Sequence, residues 1–564
     1  MSKAMTAQET KNLFVKHEAM LKSAAAAVQS RAFFAHWVEA PSKSVYGETA
    51  NEDGLAAYQS KCNKPWQGLR QSYDSMKLSS EVSPFTCQSL GISWPVFDSH
   101  ESYIRKSIES WPAWRKASPE LRAGILAEAL SRIGKRFFEM AYATMHTTGQ
   151  GFMMAFQASG PHSNDRALEA LSMGYSEQSR FPANVEWKKP MGKFDVVLQK
   201  QYKIVPLGIS LAIGCSTFPV WNTVPGVFAS LVTGNPVIWK PHPGAVYPAA
   251  IVVEEIQIVL SENGYDPHIC QLCVDTADNP IAKKLAGHPA VKLIDYTGGN
   301  AFGNAIESLP GKRTFTEKAG INSLVLHSCN DIGAMMQNIA TSLSLYSGQM
   351  CTCPQNIFVP KSGIVAGGAT IPYEEVVTLL ANAVKGLVTH EKAGHATLGA
   401  VQNENTSMRV KEAQGLGFRI LLDSLKIPNP EFPSARTASH ILIEVPADKI
   451  AVYEKEMFGP IAFVIPVSDA TEGVRLAKEL ASKHGAITFA AYTTDHAMQE
   501  LMIEEISGTF TSVSFNFVGP IWVNQSAGFS DFHLTGGNPA GNASLTDPEF
   551  VSRRFEIVGI RIHP

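Results

Sequence analysis

The sequence predicts an α/β protein of two tandem domains with parallel-type sheets, and three observations carry that reading. Its 564 residues are enough for about three to five domains at roughly 100–200 residues each. A composition of 45% hydrophobic and 18% charged residues, with 43 Gly and 33 Pro, excludes a disordered, collagen-like or coiled-coil chain. From about residue 208 onward, short apolar strands alternate with helix-length segments, the pattern of a parallel sheet covered on both faces.

Taken in order, residues 1–95 read as a mostly helical N-terminal extension that becomes irregular toward VSPFTCQSLGISWPVFDS. Ser118 as N-cap and Pro119 at the first helical position open a helix whose apolar row is Leu121, Ile125, Ala129, Ile133 and Phe137. Two extended runs between about 188 and 206, joined through Gly192 and Lys193, predict a hairpin. Strands GISLAIG (208–214), PVIW (236–239), HICQLCV (268–274) and VKLIDYT (291–297) follow, with helices near 225–233, 248–262, 277–287 and 300–308. A second series runs from SLVLH (323–327) through a helix opening at Asp331, QNIFVP (355–360), a helix near 373–387, strands near 439–445 and 461–467, a helix at 470–483 and strand ITFAAYT. The predicted division is therefore 96–187 with 207–318 as one α/β domain, 319–520 as the other, and 188–206 with 521–564 as a hairpin and terminal arm. The tail, RRFEIVGIRIHP, has no later segment to pair with and is expected to complete another sheet, its own chain's or a partner's.

Lys plus Arg number 48 against 51 Asp plus Glu, a net charge of −3, so nothing draws the chain to nucleic acid or an anionic membrane, and a small-molecule partner is expected. The N-terminus lacks a targeting pattern, and the eight dispersed cysteines read as reduced thiols of a cytoplasmic protein. Between Ile204 and Trp239 no Asp, Glu, Lys or Arg occurs, yet Pro206, Gly208, Gly214, Pro219, Pro225, Gly226, Gly234 and Pro236 break any membrane-spanning helix there. HEKAGH (390–395) has one residue too many for a helical HExxH site, and CQLC (270–273) lies in a predicted buried strand without a second pair, so no metal is assigned.

The helix after Asp331 is expected to end around Ser347 and Gly348, which leaves Cys351 in a loop where a sulfur can be reached. GQMC (348–351) is one of five ordered segments, with GNPVIWKP (234–241), TGGNAFG (297–303), EKAG (317–320) and EMFGP (456–460). Together they resemble the signature of the aldehyde dehydrogenase superfamily. The resemblance implies an aldehyde dehydrogenase-like fold whose hairpin and terminal strand form a β oligomerisation arm, and hence a homo-oligomer, a dimer or dimer-based. It implies Cys351 as nucleophile and Glu317 as general base: a thiolate adds to the aldehyde, hydride leaves for the nicotinamide, and water releases the acid from the thioester. It further implies Lys240 at the adenosine ribose, Gly298, Gly299 and Gly303 at the pyrophosphate, and Glu456 and Phe458 at the nicotinamide ribose and ring.

Two departures from the family pattern bear on function. NAD-preferring members carry Glu three residues beyond the lysine; here Pro243 stands there with His242 beside it, so NADP is expected slightly ahead of NAD. The family's oxyanion-donating Asn aligns with Thr217, whose shorter hydroxyl is the expected donor; Asn222 would substitute only if the loop folded differently. The segments GCSTFPVWNTVPGVFASLVTGNPVIWKPHPGAVYP and HLTGGNPAGNASLTDPEF further resemble the phenylacetic acid degradation (PaaN) group, which implies an aldehyde carried on CoA, a semialdehyde of phenylacetate catabolism. Two other readings stay open: a CoA-acylating aldehyde dehydrogenase, and a catalytically weak cofactor-binding paralogue that serves pathway assembly. Trp221, Phe302 and Trp522 are candidates for a substrate tunnel, with core packing the ordinary role for each.

Overall fold

The computed structural model describes residues 7–276, 278–519, 529, 533 and 536–563; Trp522 and most of 520–535 lie outside them. Its first sheet has five parallel strands, in edge-to-edge order Cys270–Leu272, Val237–Lys240, Ile209–Ile213, Val291–Thr297 and Arg313–Glu317. Strand order reverses at Ile209–Ile213, which opens a crevice at the carboxyl ends, the usual ligand position in such sheets. Strands Ile209–Ile213 and Val237–Lys240 and the helix between them, Val224–Val232, are buried along their whole length. Burial on all sides, not a bilayer, accounts for the uncharged run 204–239; among the described residues no helix is long and apolar enough to cross a membrane.

A second sheet has seven strands in the order Arg419–Leu422, Ile441–Glu444, Ile461–Val467, Asn356–Pro360, Ser323–Leu326, Thr488–Tyr492 and Ser512–Phe515, parallel except for the first pair. The fold is therefore the α/β type that the sequence predicts. Edge strands Arg313–Glu317, Arg419–Leu422 and Ser512–Phe515 go beyond the sequence reading, because runs of four or five residues, with polar side chains at buried positions in the first and partial exposure in the other two, carry little hydrophobic periodicity. Only five residues separate Glu317, the last of the first sheet, from Ser323 at the start of the second, which sets Glu317 at the junction of the two sheets.

Around these sheets, helix Ala7–Ser30 packs along Pro119–Ile133 and Pro161–Ser179, and its Met20, Leu21 and Ala24 share one core with Val237 and Trp239. Strands Asn184–Pro190 and Asp195–Pro206 form the hairpin, and Phe555–Ile562 adds to it antiparallel, with Phe555 opposite Pro206 and Ile562 opposite Gln199. The terminal strand thus pairs within its own chain. Just before it, the fully buried Arg554 grips Asp295 through both guanidinium ends, at 2.7 and 2.6 Å, and donates to Ser230 Oγ at 2.8 Å. That fork ties the C-terminal segment to the strand that ends at the crevice.

Candidate active site

Helix Ile332–Ser344 is N-capped by Asp331 and buries Met335, Met336, Ile339 and Leu343. It stops three residues short of the expected end, and the chain then turns through Tyr346, Ser347 and Gly348, all with φ between 52° and 62°. Two non-glycine residues in the left-handed region cost on the order of 1–2 kcal/mol each, so the surroundings must hold them. Tyr346 Oη donates to the Thr148 carbonyl at 2.5 Å and Ser347 Oγ to that of Leu398 at 3.0 Å. Gly348 is required for space as well, since a Cβ there would stand 2.5 Å from the His440 ring and 2.8 Å from the Gly459 carbonyl. Gln349 ties the turn to Ala400 and Gln402. Asn322 then locks the next segment to the second sheet: Nδ2 donates to the carbonyls of Cys351 (2.7 Å) and Cys353 (3.0 Å), while Oδ1 accepts from the N–H groups of Ile487 and Thr488.

This clamp presents Cys351 at the meeting of two cavities. One is mostly apolar and includes Met154, Phe218, Trp221, Met350 and Thr352. The other brings Cys351 together with Thr217, Gly298, Gly299, Glu317, Glu456 and Phe458. Asn222 faces both, and its Nδ2 donates to Glu317 Oε2 at 2.8 Å. The loop therefore brings the Asn222 amide to the carboxylate. Thr217 also lines the second cavity; its carbonyl accepts from Gln150 Nε2, and its hydroxyl sits beside the Cys215 thiol.

Sequence reasoning missed His533. Its Nε2 lies 3.4 Å from Cys351 Sγ and 3.2 Å from Glu317 Oε1, and no local pattern in the C-terminal segment marks it. Burial pushes the Glu317 carboxyl up, but His533, the Cys351 thiol and the Arg166 charge outweigh it and hold the group below the usual carboxylate range. Burial, reinforced by the facing Glu317 carboxylate, pushes the Cys351 thiol well above the usual thiol range. At rest the site thus holds a protonated thiol beside an ionised carboxylate. Sulfur, ring nitrogen and carboxylate oxygen lie within 4.8 Å of one another, close enough to exchange protons.

The crevice also fits a dinucleotide. Gly299 caps helix Asn300–Glu307, and a Cβ there would meet nothing within 4 Å, so the backbone is open to an approaching group. At Gly298 a Cβ would stand 2.5 Å from Tyr296 Oη, and at Gly303 the same distance from Lys318 Cδ, so these two glycines admit neighbouring side chains. Lys240, at the end of its strand, pairs with Asp275 at 2.7 Å. The exposed His242 turns its Nδ1 back to accept from the Gly244 N–H at 3.1 Å. Phe302 packs on Tyr296 and lines neither cavity beside Cys351, whereas Trp221 lines the apolar one.

The profile of the aldehyde dehydrogenase family matches residues 98–537. The chain is similar to the crystal structure of an NAD-dependent aldehyde dehydrogenase from Burkholderia multivorans, with a TM-score of 0.95 and 42% identity over 98% of this chain and 99% of that one. A Thermus 1-pyrroline-5-carboxylate dehydrogenase with bound NAD shares the fold at a TM-score of 0.72 and 18% identity, covering 94% and 99% of the two chains. Among curated relatives, the succinate-semialdehyde dehydrogenase [NADP(+)] of Deinococcus radiodurans is 25% identical over 460 residues, 79% of this chain and 86% of that protein. With a thiol, a carboxylate and a glycine-edged crevice converging on one point, and a family match over most of its length, this chain belongs to the aldehyde dehydrogenase family.

Proposed function

We propose that the protein oxidises an aldehyde to a carboxylic acid through a thioester on Cys351, with Glu317 as the base that activates water. The observation that carries this reading is the contact geometry: Cys351 opens on an apolar cavity on one side and on the glycine-edged crevice on the other, with Glu317 in the same wall. A bound nicotinamide dinucleotide would supply the hydride acceptor, held by Lys240, Gly298, Gly299, Glu456 and Phe458. Cys351 forms and releases the acyl group; Glu317, kept ionised, takes a proton from water at the release step. Asn222 fixes the orientation of the carboxylate, and the Thr217 hydroxyl and the Cys351 backbone N–H are the donors offered to the developing oxyanion. A base in contact with the nucleophile favours release of free acid over transfer to a second thiol.

For the substrate, the apolar lining favours an aldehyde with a hydrocarbon or aromatic body next to the carbonyl. The resemblance of two long segments to the PaaN group supports a CoA-linked semialdehyde of phenylacetate catabolism. For the cofactor, Pro243 admits a 2′-phosphate, but Asp275 restores a carboxylate at the Lys240 corner. We therefore expect NAD to serve at least as well as NADP. Apolar side chains exposed on the arm, Ile557, Val558, Ile560 and Ile562, support a homo-oligomer in which a second copy covers them. The test is a cofactor-reduction screen over aliphatic, aromatic and CoA-linked aldehydes with both nicotinamides. Oxidation that vanishes in Cys351→Ala supports the reading; oxidation retained in that variant overturns it.

A further inference from the structure

Cys351, Glu317 and His533 bring three different metal-binding atoms to one corner. His533 Nε2 lies 3.4 Å from Cys351 Sγ and 3.2 Å from Glu317 Oε1, and all three atoms fall within 4.8 Å of one another. Tetrahedral zinc, with Zn–S of about 2.3 Å and Zn–N and Zn–O of about 2.0–2.2 Å, sets sulfur and nitrogen about 3.5 Å apart and nitrogen and oxygen about 3.4 Å apart. Two of the three separations are therefore already close to those of a zinc site, and sulfur and oxygen have only to close to about 3.6 Å. Each donor is also held from behind. Asn322 Nδ2 donates to the Cys351 carbonyl at 2.7 Å, and Asn222 Nδ2 holds Glu317 Oε2 at 2.8 Å, which leaves Oε1 facing His533. The His533 ring, 7% exposed, packs at a steep angle on Trp221 with centroids 4.9 Å apart.

We propose that this corner is a zinc site, with Cys351 Sγ, His533 Nε2 and Glu317 Oε1 as ligands and water in the fourth position, and that its occupancy reversibly shuts the enzyme off. The shut-off rests on the reading of Cys351 as nucleophile; the site itself does not. The donor set selects the metal, since thiolate and imidazole suit zinc whereas magnesium and calcium take oxygen ligands. Charge closes as well: a dication against one thiolate and one carboxylate leaves the buried corner neutral. At rest the Glu317 carboxylate accepts the hydrogen on His533 Nε2 and is bonded by the Cys351 thiol. Zinc replaces both hydrogens. The thiol proton leaves for solvent, and the ring gives up the hydrogen on Nε2 and carries one on Nδ1 instead, so a neutral ring stays neutral. One proton is released for each ion bound, and no electron moves.

Bound zinc would stop both halves of the reaction together, because it takes up the electron pair with which sulfur attacks and the oxygen with which Glu317 activates water. The two cavities that open on Cys351 give the ion a way in. Local spacings such as HExxH or paired CxxC cannot reveal the site, since Cys351 and Glu317 stand 182 and 216 positions before His533.

The test is zinc chloride added to the full-length protein after a chelator has stripped it of metal and been removed. In soaked crystals, anomalous diffraction at the zinc edge should place one ion about 2.3 Å from Cys351 Sγ and about 2.0–2.1 Å from His533 Nε2. In solution, zinc should stop aldehyde oxidation and EDTA should restore it in full. Removing a group that merely supports a ligand costs about 10–100-fold in metal affinity, so His533→Gln, which keeps a donor for Glu317, should raise the half-inhibiting zinc concentration at least about 10²-fold. Anomalous peaks elsewhere alone, an adventitious ion only, overturn the proposal, as does zinc at Cys351 without inhibition of an active enzyme, or an unchanged midpoint in folded His533→Gln. The diffraction arm decides the site even if the variant does not fold. Zinc at Cys351 in a protein that oxidises no aldehyde refutes the proposed function and keeps the site; aldehyde oxidation with no zinc at Cys351 refutes the site and keeps the function.

Discussion

Glu317→Gln isolates the release step. Gln keeps the volume and offers an amide oxygen to Asn222, so the 2.8 Å contact survives; what is lost is the basic oxygen, now an amide, facing His533 and the position of the attacking water. General-base assistance is worth about 10²–10⁴ in rate, or about 3–5 kcal/mol on the hydrolysis barrier. If Glu317 serves the release step alone, the first turnover should proceed. Rapid mixing of enzyme, aldehyde and cofactor should give a burst of reduced cofactor approaching one per site, followed by a steady state slowed by that factor. Mass spectrometry of the quenched protein should find the acyl group on Cys351. A steady-state rate close to the wild type, or a variant that slows the burst itself, would refute the assignment of Glu317 to release.

Arg554→Met should destabilise the protein by about 3–5 kcal/mol, read as a lower urea midpoint, because it leaves Asp295 buried without its partner; adding Asp295→Asn should recover part of the loss. Asn322→Ala removes four bonds at the Cys351 loop, at about 1–3 kcal/mol for each group left unpaired, so activity and thermal stability should fall together; unchanged activity would show that the loop holds itself. Burial pushes the Glu456 carboxyl up to about 7 against the pull of Arg409, so the group is neutral below and ionised above that pH. The ionised form accepts ribose hydroxyls better, so the cofactor KM should fall as pH rises through about 7, and Glu456→Gln should flatten the curve in initial-rate measurements.

Several features of this molecule were legible in order along the chain. Buried strands such as Ile209–Ile213 and Val291–Thr297 announce themselves by unbroken apolar runs, and caps at Ser118 and Asp331 mark helix starts, because burial and capping are local demands on residue type. GQMC is legible for a comparable reason: the left-handed turn before Cys351 needs a glycine beside His440 and Gly459.

Which distant polar groups meet is a different kind of fact. Asn222 could have faced the oxyanion or the carboxylate; the path of the loop after Phe218 sets it on Glu317. The carboxylate missing at Pro243 returns as Asp275 from the loop after the neighbouring strand Cys270–Leu272, and His533 enters beside Cys351 from a C-terminal segment anchored by Arg554 and Asp295. By itself the sequence determined the α/β architecture, since periodicity and turn chemistry act over a few residues, and its ordered motifs pointed to Cys351 and Glu317 as candidate nucleophile and base. Tertiary structure alone decided the partners of Cys351 and Glu317, because hydrogen bonds and ion pairs across 95 to 216 positions depend on how whole elements pack and leave no periodic trace in the chain.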